Sequence, residues 1–310
     1  MKQKRFTFLL LFVANLFCAS AQKWYTPEID QKVEDLLKQM TVEEKLGYIG
    51  GVNWMYTKSI DRLGIHRMKM SDGPQGLGTD GKSTAYPSTV TLAATWNENL
   101  AYQYGKALGR DCRARNVNVI LGPAVNIYRA PMCGRNFEYM GEDPYLTSRI
   151  CVGYIKGVQD QGVMATVKHF VANNSDYDRN NISNDIDERT LNEIYFPAYK
   201  AAIQEAEVGA VMTSYNLMNG IYTTENPWLL KEVLRNQWGF KGLVMSDWGS
   251  THYCVPAAKG GLDLEMAGGE KMNPKDMAYY LKTGDVTMDM VDEKVRHILR
   301  ILIAFGFKDG

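Results

Sequence analysis

Cysteine is scarce in this chain of 310 residues: there are five, at positions 18, 112, 133, 151 and 254, and none stands in a C-x-x-C pair. That spacing excludes the common zinc and redox frameworks, while sequence alone leaves open whether any pair lies close enough for a disulfide. An excess of charge is missing too. Lys plus Arg and Asp plus Glu are 35 each, so no long-range field draws the protein to nucleic acid or to an acidic membrane surface, and the balance suits a neutral substrate. No low-complexity tract, internal repeat or charge run interrupts the chain. Nor is there an apolar run of the ~20 residues needed to span a bilayer. The stretch 6–17 is shorter, follows Lys2, Lys4 and Arg5, and precedes Ala19-Ser20-Ala21. It reads as a signal peptide over 1–21, with the mature chain starting at Gln22 in the periplasm or outside the cell. Bulky Phe17 before Cys18 argues against lipidation.

What is present is a core-forming composition, 45% apolar and 23% charged, over about 290 mature residues, an ordinary length for one (β/α)8 barrel. Short apolar runs alternate with segments of helical period, which favours parallel βα units. Strands are expected at 117–121, 163–167, 210–213, 243–245 and 262–266, with an earlier one ending near Met70. Asn226-Pro227 and Asn273-Pro274 pair an N-cap side chain with proline at the first helical position. Longer helices are expected over 97–115 and 187–206, and a last one over 291–305 that closes the barrel.

Polar residues recur just past these apolar runs: Ser71-Asp72, Asn126, Lys168-His169, Ser214-Tyr215-Asn216, Asp247-Trp248 and Asp263 with Glu265. In a barrel such positions converge on the C-terminal face, where sites are built. An open doubly wound sheet gives a similar alternation, but the glycine-rich phosphate turn that marks it is missing.

The segments SDGPQG (71–76), LGPAVNIYRAPMCGRNFEYMGEDPYL (121–146), VKHFVANN (167–174), VMTSYN (211–216) and GLVMSDWG (242–249), in this order, resemble the family 3 glycoside hydrolases over almost all of the mature chain. The resemblance implies a TIM-type α/β barrel, regular or irregular, over 22–310, and hydrolysis of terminal β-glucosyl residues with retention. It makes Asp247 the nucleophile, a carboxylate that forms a glycosyl ester while a second carboxyl protonates the leaving oxygen. It further implies sugar contacts from Asp72, Arg135, Lys168, His169, Met212 and Tyr215, with Trp248 as a pocket wall, and structural roles for Glu138, Glu142 and Asp143 in holding Arg135 and its loop. A β-linked oligosaccharide or glucoside is the expected partner, and no metal or organic cofactor is implied. Without the resemblance, Asp247 reads as an N-cap or ion-pair partner, and Asp72 as a turn residue before Gly-Pro.

Two departures bear on activity. Met132-Cys133 stand where the family commonly has Arg-Trp. Most members also carry an α/β sandwich domain after the barrel that supplies the general acid, whereas this chain stops at Gly310. The loop KHFVANNSDYDRNNISND lacks the second histidine and the Pro-Gly with which single-domain hexosaminidases of the family supply it, leaving Asp176, Asp178, Asp185, Asp187 and Glu188 without an assignable role. Three readings follow: a truncated glycosidase, a barrel completed by a C-terminal domain or partner chain, or a non-catalytic sugar-binding remnant. β-Xylosidase and β-N-acetylhexosaminidase stand as alternative activities.

Overall fold

The computed structural model describes residues 24–79 and 81–307; the expected signal segment lies outside the described residues. Five parallel strands pair in chain order: β1 (Met70–Asp72), β2 (Val119–Leu121), β3 (Met164–Phe170), β4 (Ala210–Thr213) and β5 (Leu243–Met245). Every residue of β2 to β5 is buried, as strands covered on both faces require. Single bridges carry the ladder on: Met245 pairs with Leu264, Glu265 with Gly50, and Tyr56 returns antiparallel to Lys69 at the start of β1.

The expected strand 262–266 is therefore reduced to bridges. Side chains take over ladder positions there. The Asp263 carboxylate accepts the Val244 N–H at 2.8 Å, and the Ser246 hydroxyl accepts the Met266 N–H at 2.8 Å. At β3 the register shifts between Val167 and Phe170, a bulge of the kind that re-aims side chains beside a site; Lys168 and His169 sit in it.

The helices follow their caps. Asn97 and Asn273 accept the N–H of Leu100 and Asp276 to start the helices Glu98–Ala114 and Pro274–Thr283, and Asn226 accepts the N–H of Leu229. The expected helix 187–206 is broken into Glu188–Thr190, a wide turn over Leu191–Tyr195, and Pro197–Gln204. Pro197 has no N–H to donate, so the Phe196 N–H reaches back five residues to Leu191, at 2.8 Å. Helices Pro27–Gln39 and Val42–Tyr48 add to the expected elements. The first packs on the last helix, Met288–Ala304, through Val33, Leu36 and Leu37 and the ion pairs Arg296–Glu34 and Arg300–Asp30. Cys133, Cys151 and Cys254 are free thiols, and Cys112 is buried in the core. No helix among the described residues is long and apolar enough to cross a membrane.

Candidate active site

The C-terminal ends of the strands open into a cavity of about 330 Å³. Asp72 ends β1, Lys168 comes from the bulge in β3, and Met212 lies in β4 with Tyr215 two residues beyond its end. Asp247 and Trp248 follow β5, and Arg135 reaches in from the loop after β2. Seven of the eight residues expected to form the site line this cavity. The eighth, His169, is fully buried behind it.

Asp247 and the groups around Glu138 set the electrostatics. The Oδ1 atom of Asp247 accepts the Trp248 N–H at 2.7 Å. Its Oδ2 has no hydrogen-bond partner among the described residues, although Arg135 Nη1 stands 3.9 Å and His169 Nε2 3.5 Å away. Burial raises the Asp247 carboxyl above its ordinary range, opposed by Arg135, Lys168, the Trp248 N–H and the neighbouring Tyr215 hydroxyl, which itself donates to the Trp248 carbonyl at 3.1 Å. Burial also holds His169 well below the usual histidine range, reinforced by Arg135, Lys168 and Arg179, so its imidazole is neutral. The ring is fixed from both sides: Nε2 accepts from Arg135 Nη2 at 2.7 Å, and Nδ1 faces the side-chain oxygen of Asn126 at 3.4 Å. The same Asn126 exchanges two 2.9 Å hydrogen bonds with the His169 backbone. Glu138 anchors both cations, through Arg135 Nε and, at 3.8 Å, Lys168 Nζ. Lys168 in turn donates to Asp72 Oδ1 at 2.9 Å. Three cations, Arg135, Lys168 and Arg179, and two carboxylates thus surround the cavity, and one carboxylate oxygen is desolvated and without a hydrogen-bond partner among the described residues. That oxygen can serve as a base or nucleophile, and the cations and Asp72 can hold a hydroxyl-rich neutral ligand.

Residues 38–301 match the family model described as the glycosyl hydrolase family 3 N terminal domain. The chain belongs to glycosyl hydrolase family 3. A β-glucosidase of Rhizobium radiobacter is 44% identical over 280 residues, covering 88% of this chain and 34% of that protein. The thermostable β-glucosidase B of Acetivibrio thermocellus is 42% identical over 87% of this chain and 37% of its own length. Among solved structures, β-glucosidase 3B of Thermotoga neapolitana in complex with α-D-glucose superposes with a TM-score of 0.85 at 38% identity, over 90% of this chain and 44% of that one. The chain therefore spans between about a third and less than half of these relatives, and the fold is the α/β, TIM-like barrel of the family's N-terminal domain.

Within this family 3 barrel, the cavity also has walls that motif reading missed: Trp54, Met55, Thr79, Leu121 and Arg179. Trp54 accepts the Trp248 indole N–H on its carbonyl at 2.9 Å. Arg179 lies 4.1 Å above the Tyr215 ring and pairs with Asp176 at 3.4 Å. The only sequence signal for Arg179 was its place in the polar loop after β3. Asp263 and Glu265, expected on the same face, do not reach the cavity. Asp263 is bound by Arg235 at 2.6 Å and His297 at 2.8 Å, and Glu265 accepts the N–H groups of Lys271 and Met272. Glu138 supports Arg135 as expected, whereas Asp143 caps the helix Pro144–Gln159. Asp187 caps the turn beginning at Glu188, and none of Asp176, Asp178, Asp185, Asp187 and Glu188 lines the cavity.

Proposed function

We propose that this barrel carries the nucleophile half of a secreted, retaining β-glucosidase. The observation that carries the reading is Asp247 Oδ2: a buried carboxylate oxygen without a partner, in a cavity lined by Asp72, Arg135 and Lys168. In the first step Oδ2 bonds to the anomeric carbon as the bond to the aglycone oxygen breaks, and the aglycone leaves as its alcohol after taking a proton from a general acid. In the second, water cleaves the glycosyl ester and Asp247 is regenerated. Arg135 and neutral His169 flank the oxygen that gains and loses charge. Asp72, Lys168, Met212, Tyr215 and Trp248 hold the sugar. The names of the relatives support glucose as the sugar.

Among the described residues the carboxylates lining the cavity are Asp72 and Asp247, and Asp72 is engaged by Lys168. The acid is proposed to come from a further domain or a partner chain. Such assistance is worth about 10²- to 10⁴-fold, and a substrate with a good leaving group does without it. Incubation with dinitrophenyl 2-deoxy-2-fluoro-β-glucoside is therefore expected to add one glycosyl mass, mapped to the peptide carrying Asp247 and absent from Asp247→Asn. A folded chain that takes up neither this reagent nor its xyloside counterpart is neither a β-glucosidase nor a β-xylosidase, and saturable glucose binding surviving Asp247→Asn would leave it a sugar-binding barrel.

A further inference from the structure

The opposite face of the barrel carries a cleft of about 490 Å³ that the proposed chemistry does not use. Lys69 immediately precedes β1 and Asn118 immediately precedes β2, so the cleft lies at the N-terminal ends of the strands, with the strands themselves between it and the cavity at Asp72 and Leu121. Four of its lining side chains are permanent cations, Arg67, Lys69, Arg113 and Arg115, with His66 beside them, and no carboxylate lines it among the described residues. The chain as a whole has 35 basic and 35 acidic residues, so charge is segregated here against an overall balance, and like charges gathered in this way repel one another.

The local bonding consumes acceptors and leaves donors. Lys69 Nζ donates to the Arg115 carbonyl at 3.1 Å, and Arg115 donates to the Lys82 carbonyl; these two cations fix the back of the cleft. Asn118 gives its side-chain oxygen to the Lys69 N–H at 2.8 Å, which keeps its amide nitrogen as a donor. The guanidinium groups of Arg67 and Arg113 form no hydrogen bond or ion pair among the described residues. Arg67 is held instead by the Tyr56 ring, 4.4 Å from its centre, a stacking that occupies the face of the guanidinium and leaves its N–H edge for a ligand. Arg113 stands in the last turn of the helix Glu98–Ala114, where the helix dipole favours a cation; that accounts for Arg113 but not for Arg67, which arrives from the segment before β1. We infer that this cleft binds a doubly charged tetrahedral oxyanion, a phosphate or sulfate group, through Arg67 and Arg113. The arginine fork matches two oxygens of such a group, and a dianion offsets more of the gathered charge than a single carboxylate does. The site is independent of the role of Asp247.

A free phosphate ion and a phosphate ester present the same group, and calorimetric titration separates them. Inorganic phosphate and glucose 6-phosphate are titrated into the chain started at Gln22 at about pH 8, where both are mostly dianionic, and at constant ionic strength. One saturable site is expected, with a Kd of about 1 mM or tighter. Arg67→Gln and Arg113→Gln are each expected to weaken it about tenfold, the loss of one charge-assisted contact, whereas Arg189→Gln, which removes a cation far along the chain that pairs with Glu193, leaves it unchanged. All three side chains are exposed, so none of these variants disturbs the core. Tighter binding of glucose 6-phosphate assigns the site to an ester, and equal or weaker binding assigns it to the free ion; either upholds it. No saturable binding, equal weakening by Arg189→Gln, or glucuronate bound as tightly as glucose 6-phosphate overturns it, the last because a single carboxylate would then suffice. Fluoroglucoside labelling of Asp247 is expected to be the same in all three variants, so the site and the proposed function stand or fall separately.

Discussion

At Asp247, burial and four stabilising neighbours oppose one another, and burial prevails. In the proposed mechanism Asp247 must be ionised to attack, so the raised carboxyl would set the acid limb of the reaction. The rate of labelling by the fluoroglucoside is expected to fall as pH drops through an apparent pKa above the ordinary aspartate value, with a slope of one proton, because the reagent needs no acid. A stopped-assay pH series reads this directly, and a limb at or below the ordinary value would mean that the cations win. The residues legible in the sequence were those whose side-chain chemistry is itself the signal: a carboxylate after Ser, a Lys-His pair, a Tyr after Thr-Ser. Trp54 was not legible because it contributes a backbone carbonyl as well as a ring, and it does so from a left-handed conformation, φ 68°. Arg179 was not legible because a loop ordered by local turns, such as the Asn181 amide on Asp178 at 2.7 Å, leaves no periodicity to read.

Among the elements, the helices Glu98–Ala114 and Pro144–Gln159 touch backbone to backbone. A Cβ at Gly157 would lie 2.1 Å from the Tyr102 carbonyl oxygen, and one at Gly105 2.2 Å from that of Tyr154. Gly157→Ala must part the helices and is expected to cost about 3 kcal/mol. Gly47, within the helix Val42–Tyr48, has nothing near its missing Cβ, so Gly47→Ala is expected to stabilise by about 0.5–1 kcal/mol. Urea titrations of the two variants should move the midpoint in opposite directions; a shift of the same sign would mean that helix separation is free to adjust. The strand alternation was legible because parallel strands buried on both faces are written as unbroken apolar runs. The strand 262–266 was over-read because the apolar run is real, but Asp263 spends its carboxylate on Val244 N–H, Arg235 and His297. The break in the helix 187–206 was likewise present in the sequence as Pro197, whose cost to the hydrogen-bond ladder the apolar period conceals.

The closing helix Met288–Ala304 puts Lys294 into the core, where its ammonium donates to the Leu262 carbonyl at 2.6 Å. Burial lowers its pKa to about 8, with Asp263 pulling the other way. Below pH 8 both folded and unfolded chains carry the proton, and the full cost of burying the charge is present. Between about pH 8 and the free lysine value the unfolded chain binds more protons, so this group's contribution to stability rises with pH. Thermal melts at pH 7.5 and 9.5 should therefore show wild type gaining on Lys294→Met; parallel curves would mean that the ammonium stays charged throughout.

On the scale of the whole molecule, the family match begins at residue 38, whereas the physical domain begins earlier. The helix Pro27–Gln39 is capped by Thr26, whose hydroxyl accepts the Ile29 N–H, and it lays Val33, Leu36 and Leu37 on the closing helix. Each such side chain is worth about 1.5–3 kcal/mol when fully buried, the order of half a domain's net stability when three are summed. The ion pairs to Arg296 and Arg300 are partly exposed and contribute little. A chain started at residue 41 keeps every cavity residue and exposes the buried face of Met288–Ala304, whose Asp263 contact through His297 ties it to β5. Its melting temperature is expected to fall well below that of the chain started at Gln22, with fluoroglucoside labelling lost at temperatures where the longer chain still reacts. Charge reversal at Asp30 and Glu34 in the longer chain, by contrast, should change the melt only slightly. If that reversal destabilised as much as the truncation, the helix would be held by its ion pairs, and the apolar accounting for this end of the barrel would be wrong.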